Sequence, residues 1–206
     1  PDPDLVELAG PFDLTVYHIH DEYSFSADDP PTSPEELEVL KGVDQVVIHS
    51  PTMLWKKGGE NPNTLFLPNG VDFALYDQDW PEPVELAGVP HPRIGYTGYL
   101  KNQLDWELIT SIVSGHPEAH FVFVGPTQDH EGVQDKIDTL TTLPNTLFPG
   151  MQPPEDLPAW VRHFDVCIMP YRHDGYTRYI YPLKLHEYLA SGHPVVGTAL
   201  PNLEPF

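Results

Sequence analysis

Short apolar runs and longer segments of helical spacing alternate along this chain, and that order most constrains what it can fold into. It predicts an α/β fold, with parallel sheets covered by helices. The runs "FDLTVYHI" (12–19), "VDQVVIHS" (43–50), "TLFLP" (64–68), "PRIGYTG" (92–98), "AHFVFVG" (119–125), "NTLFPG" (145–150), "FDVCIMP" (164–170) and "PVVGT" (194–198) read as strands. Most are apolar throughout, as strands buried on both faces are. In "SPEELEVLK" Ser33 predicts an N-cap, Pro34 the first helical position and Glu36 the third position of a capping box. "DWELITSIVSGHP" predicts a helix capped by Asp105, packed through Leu108, Ile109, Ile112 and Val113, and ended by Gly115 and Pro117. "PPEDLPAWVRHF" and residues 182–191 complete the helices.

The stretch "FALYDQDWPEPVELAGVPHP" (73–92) is rich in proline and acid and has little periodicity. It suggests a first domain over 1–80, a linker over 81–91 and a second domain over 92–206. Three strands are few for the first, and "PNLEPF" follows the last strand without a covering helix. Both domains are therefore expected to be incomplete, and the chain to be a fragment. Within "LPNGVD", Asn69 and Gly70 suit a tight hairpin turn, whereas the prolines that follow argue for the crossing between domains.

Charge excludes one class of partner. With 31 acidic against 10 basic side chains and a net charge of −21, the chain has no general basic face for nucleic acid. Such a surface suits adaptation to high salt as well as it suits an ordinary acidic protein. No run approaches the ~18 apolar residues of a membrane span, and "PDPDLVELAG" lacks a signal-peptide pattern, so a cytoplasmic protein is expected. Cys167, alone in an apolar run, reads as inert core, and the histidines show no HExxH spacing, so no metal is expected.

Because cations are scarce, their placement is informative. Arg172, Arg178 and Lys184 fall within 166–186 beside one acid, Asp174, an island that suggests an anion site. In "YPLKLHEYLASGHPVVG" (181–197) Pro182 suits the first helical turn, Gly192 the C′ position, and Leu185, Tyr188 and Leu189 a packing stripe. Lys184 and Glu187 share a face in an order that opposes the helix dipole. An anion at the helix N-terminus would explain the lysine there, and Glu187 could accept hydrogen bonds from sugar hydroxyls. A solvated pair without a role is the alternative. In "YHIHDEYS" (17–24), His18 and His20 alternate onto one face, with Asp21 and Glu22 at the strand's carboxyl end. The plain alternative is a His18 satisfied by backbone and an Asp21 that forms a turn.

The motifs "LPNGVD", "IGYTGYL" (94–100), "HPEAHFVFVGP" (116–126), "LPNTLFPG" (143–150), "FDVCIMPY" (164–171) and "YPLKLHEYLASGHPVV" occur in an order and spacing that resembles the family 4-like glycosyltransferases of the GT-B fold. The resemblance implies two Rossmann-like domains with parallel sheets and a retaining, metal-independent transfer of a sugar from a UDP- or GDP-linked donor. The acceptor would be a glycan, a lipid or a cell-surface polysaccharide precursor. It implies no cofactor, and a cytoplasmic location with peripheral membrane contact through missing segments as an option. The implied donor site comprises Gly98, Lys101, Arg178, Tyr179, Pro182, Leu183, Lys184 and Glu187; the implied catalytic residues are His20 and Asp21. Glu187 matches the second glutamate of the family's E-x7-E motif, which holds the nucleotide ribose, while Tyr179 replaces the first. Alternatives are a GT-B sugar-nucleotide epimerase and a truncated nucleotide-binding module without activity. A dinucleotide oxidoreductase is disfavoured because no strand leads into G-x-G-x-x-G.

Overall fold

Each of the eight runs holds a strand. The computed structural model describes residues 3–4, 12–23, 26–128 and 132–206. Ser24 of "YHIHDEYS" and all of "PDPDLVELAG" except Pro3 and Asp4 lie outside the described residues. Strands β1 (Val16–Ile19), β2 (Gln45–Ile48) and β3 (Thr64–Phe66) form one parallel sheet in the order β1-β2-β3. Strands β4 (Arg93–Thr97), β5 (His120–Val124), β6 (Thr146–Gly150), β7 (Val166–Met169) and β8 (Val195–Gly197) form a second, ordered β6-β5-β4-β7-β8 and also parallel. Phe121, Val122, Phe123 and Val124 are all buried, as a strand covered on both faces requires.

The helices show where local sequence was sufficient. Helix α1 (Pro34–Gly42) starts at Ser33, whose Oγ accepts from the Glu36 amide at 3.2 Å. The expected capping box is only half made, because the Glu36 carboxylate turns inward to Lys57 Nζ (2.7 Å) and the Tyr17 hydroxyl (3.3 Å). Helices α2 (Pro51–Lys57), α3 (Phe73–Tyr76) and α5 (Val133–Thr141) were not predicted. Ser50 and Asp72 cap the first two through the amides of Met53 and Leu75. Helices α4 (Trp106–Gly115), α6 (Leu157–Arg162) and α7 (Leu183–Ala190) match predicted segments. Two packing stripes are narrower than predicted: Ile109 and Val113 are buried but Leu108 is exposed, and Leu185 and Tyr188 are buried but Leu189 is exposed.

The chain divides into two compact units. The first comprises Pro1–Asn69, His173–Tyr181 and Ala199–Phe206, and the second Gly70–Arg172 and Pro182–Thr198. The compact units therefore do not follow the linear division at 81–91. Residues 81–91 are tethered to β4, because the buried Arg93 guanidinium donates to Glu82 Oε1 (2.6 Å) and to the carbonyls of Leu86 and Val89. Asn69 and Gly70 form no hairpin; the chain passes from one unit to the other between them.

In the first unit, Ile19, Leu40, Val46, Ile48 and Met53 make an apolar core. Beside it lies an ionic network. Lys57, 0% exposed, bridges Glu36 (2.7 Å) and Glu22 (3.2 Å), both buried. Its neighbour Lys56 binds Glu22 (3.1 Å) and Asp29 (2.7 Å). Burial pushes the Asp29 carboxyl up, but hydrogen bonds from Lys56 and Tyr179 and the charges of Lys56 and Arg178 outweigh it and leave its pKa below the usual value. That contribution is fully present above the ordinary aspartate value of about 3.9 and is lost as the pH falls through the lower folded value.

Replacing Lys57 with Met should lower unfolding stability by about 3–5 kcal/mol, because Glu22 and Glu36 stay buried without their shared partner. Urea denaturation at neutral pH measures the loss.

Candidate functional site

Strand order reverses at β4, since the chain leaves β4 towards β5 on one side and β7 towards β8 on the other. Loops that part in this way open a crevice at the carboxyl ends of the strands. Gly98 begins the loop after β4 with a φ of 131°, and Gly125, with a φ of 144°, begins the loop after β5. A Cβ on Gly125 would strike the Gly98 carbonyl, so the two loops come this close only because of glycine. The loop after β4 is then joined to the segment after β7. Asp105 N donates to the Pro170 carbonyl (2.8 Å), Arg172 N to the Gln103 carbonyl (2.9 Å), and Leu104 bridges Tyr171.

Lys184, on the first turn of α7, reaches into this crevice. Its Nζ donates to the Tyr171 hydroxyl at 2.9 Å and lies 5.2 Å and 5.6 Å from the ring centroids of Tyr96 and Tyr171. A Cβ at Gly98 would come within 3.2 Å of its Cε and Nζ. Burial pushes the Tyr96 phenol far up, so this hydroxyl stays neutral and donates to the Tyr99 carbonyl (3.1 Å). Lys184 thus meets a hydroxyl and ring faces, which attract a cation without neutralising it. Among the described residues it forms no ion pair.

Glu187 lies one turn further on. Burial pushes its pKa up, while the Lys184 charge and a hydrogen bond from the Tyr76 hydroxyl pull it back. Tyr76 ends α3, which packs against α7. Pro182 is the N-cap of α7 and has no side-chain capping bond, Leu183 follows it exposed, and Gly192 takes the positive φ of 76° expected just past the helix. Lys101 is half-buried in the loop after β4; its carbonyl accepts from the Trp106 indole (3.0 Å), and no contact joins its ammonium to Lys184.

The other predicted site residues belong to the first unit. The rings of His18 and His20 meet at 3.9 Å, so the two do share a face. His18 is exposed, however, and its neighbour across the sheet edge that meets backbone is His49, whose Nδ1 lies 2.9 Å from the Ile19 carbonyl. Asp21 Oδ1 accepts from the Tyr176 hydroxyl (3.3 Å). Arg178 and Tyr179 both bind Asp29, at 2.9 Å each, and Arg178 borders a cleft of about 500 Å³ with Asp28, Asp29, His173 and Asp174. Of the predicted basic island, Arg178 is paired within the first unit, and Arg172 is exposed with Nη1 3.5 Å from the Asn102 carbonyl. Cys167 is buried, which pushes its thiol up to about 12. Among the described residues no group of three or more His, Cys, Asp or Glu side chains is arranged to hold a metal ion, and no helix is long and apolar enough to cross a membrane.

The family Glycosyl transferases group 1 matches residues 91–205, which include every strand of the second sheet and the Lys184 crevice. The chain belongs to this family. It is 32% identical over 175 residues to a proposed teichuronic acid biosynthesis glycosyltransferase, TuaH, of Bacillus subtilis, covering 81% of this chain and 43% of that protein. It is 25% identical over 130 residues to the 2-deoxystreptamine N-acetyl-D-glucosaminyltransferase of Streptomyces fradiae, covering 59% of this chain and 30% of the relative. The chain thus spans less than half the length of these curated relatives. Among solved structures, Anabaena HepE in complex with UDP and glucose superposes with a TM-score of 0.66 at 18% identity, over 92% of this chain and 54% of that one. Sucrose-phosphate synthase from Thermosynechococcus elongatus gives 0.71 at 18% identity, over 96% and 53%. The fold is α/β of the GT-B type, with two parallel sheets, as the resemblance implied.

Sequence reasoning missed the phenols around the site. Tyr171 closes the motif "FDVCIMPY", and its place just past β7 was the available signal. Tyr76 lies in the stretch whose prolines and acids argued for a linker, so nothing local pointed to it. Gly98→Ala should cost about 1–3 kcal/mol, because a side chain at a φ of 131° is strained and would press on Lys184 and the Tyr96 hydroxyl. Chemical denaturation reads the loss, and Gly115→Ala, where a Cβ meets nothing within 4 Å, is the control.

Proposed function

We propose that the second unit binds the nucleoside diphosphate of a UDP- or GDP-linked sugar, and that the parent protein is a retaining, metal-independent glycosyltransferase. The observation that carries this reading is Lys184, a cation held without an ion pair at the strand-order reversal, beside the N-terminus of an eight-residue helix. HepE, which shares the fold, forms a complex with UDP and glucose, and this supports the donor class. TuaH's name supports an acceptor in cell-surface polysaccharide assembly, a glycan or a lipid-linked glycan. In this proposal the second unit supplies the donor side and the first unit part of the acceptor side. The location is cytoplasmic, with membrane contact made outside this chain, and no cofactor takes part.

The chemistry follows from charge. As the glycosidic bond to the diphosphate breaks, negative charge grows on the leaving group, and Lys184, Lys101 and the amides at the start of α7, near Pro182 and Leu183, would take it up. Gly98 lets backbone approach the phosphates closely. Glu187 would accept from the ribose hydroxyls. His20 and Asp21 are the catalytic candidates of the first unit, where Arg178 and Tyr179 hold Asp29.

Thermal unfolding in the presence of UDP, GDP and their sugars tests the reading. Ligand at 100 times its Kd should stabilise the protein by about 2.7 kcal/mol. Lys184→Ala and Glu187→Ala should each weaken binding about tenfold or more. A chain indifferent to every nucleotide, or variants that respond like the unaltered protein, would overturn it.

A further inference from the structure

We infer that His49 is a saccharide-binding residue of the first unit, whose Nε2 accepts a hydrogen bond from a sugar hydroxyl beside His20. The inference rests on the reading of this unit as part of the acceptor side, which it deepens. His49 directly follows β2 and His20 directly follows β1, so both rings stand at the carboxyl ends of neighbouring parallel strands, where such sheets bind ligands. His49 is only 4% exposed. Its Nδ1 lies 2.9 Å from the Ile19 carbonyl, an oxygen that can only accept, so in the neutral ring Nδ1 carries the proton and Nε2 the lone pair. Among the described residues Nε2 has no hydrogen-bond partner, and unlike the Nε2 of His193 it is not fully enclosed, so a ligand can reach it. A fixed acceptor on an enclosed ring gives up little freedom when it takes a donor.

The surrounding rings define the ligand. The His18 and His20 centroids are 3.9 Å apart, and the His49 centroid lies 6.3 Å from those of His20 and Tyr181. Burial pushes the His49 pKa below 6.5; the Ile19 hydrogen bond and the Asp21 charge push it up and His20 pushes it down, and the balance favours the neutral ring. His18 is lowered as well, by burial and by His20 and His49. A neutral Nε2 repels the oxygens of a phosphate or carboxylate and accepts from a hydroxyl, so the fitting ligand is an uncharged polyol. A bound hydroxyl stabilises the neutral ring, so sugar should move the His49 midpoint down, and sugar binding should weaken as the pH falls through that midpoint.

Nitrogen-15 NMR of the imidazoles tests this on the unaltered chain, with the methyl glycosides of glucose, galactose and N-acetylglucosamine, UDP-glucose and inorganic phosphate as probes. His49 should show the Nδ1–H tautomer, and a glycoside should shift its Nε2 resonance and lower its midpoint by about half a unit to one unit. A response to UDP-glucose without one to free glycosides keeps the inference and assigns the hydroxyl to the sugar being transferred. A midpoint raised by phosphate and lowered by no sugar, or an Nε2 that answers to none of the probes, would overturn it. His49→Asn keeps a donor near Nδ1 and removes Nε2, so it should raise the glycoside Kd about fivefold or more. His49→Gln, which places an acceptor near Nε2, should lose less, and unchanged affinity in His49→Asn would sink the inference. Should His49→Asn fail to fold, the Nε2 shift and midpoint of the unaltered chain decide. A chain that answers to glycosides but to no nucleotide keeps this inference and overturns the proposed function; one that binds nucleotide while His49 ignores every sugar does the reverse.

Discussion

The reversal of strand order between β4 and its two neighbours is the constraint on which the candidate site depends. In an all-parallel sheet every strand ends at the same edge, and loops leaving in opposite directions cannot close over the gap between them. The loop after β4 is instead fixed from both sides. It approaches β5 through Gly98 and Gly125 and is hydrogen-bonded to the segment after β7 through Gln103 and Asp105. Lys184 can enter the crevice because Gly98 has no side chain to exclude it, and it stays there because Tyr96 and Tyr171 present ring faces and a hydroxyl.

Scarce cations organise this acidic chain from within. Lys56 and Lys57 gather Glu22, Glu36 and Asp29, and Arg93 ties residues 82–89 to β4. Desolvating such groups costs several kcal/mol each, which their mutual attraction offsets only in good geometry. The benefit here is positional. Glu22 directly follows His20 and Asp21, and Asp29 collects Arg178 and Tyr179 from 145 or more positions along the chain, so the ion pairs fix loops that no regular secondary structure holds. Lys184 stands apart, as a cation paired with phenols.

Much of the fold was legible because its signals are local. Ser33 before Pro34, and Asp105 three residues before Leu108, announce helix starts through capping that needs no tertiary partner. The same signal stands at α2, where Ser50 caps and Pro51 opens the first turn, but the helix is only seven residues long. What could not be read were long-range choices. Glu36 left its capping role for a lysine 21 residues away, and Arg178 paired with Asp29, 149 residues distant. Residues 81–91 had linker composition and are nevertheless tethered, because the guanidinium that holds them belongs to the following strand.

The sequence by itself determined the eight strands, four of the helices, the glycine at the end of α7 and the placing of Lys184 and Glu187 on one helical face. Each follows from periodicity, caps or sterics within a few residues. Only the tertiary structure decided what surrounds those two charges. Tyr171, Tyr96 and Tyr76 come from three separate segments, and it is strand order and helix packing that bring their hydroxyls and rings to Lys184 and Glu187. Whether a lysine meets a carboxylate or a phenol depends on those distant contacts.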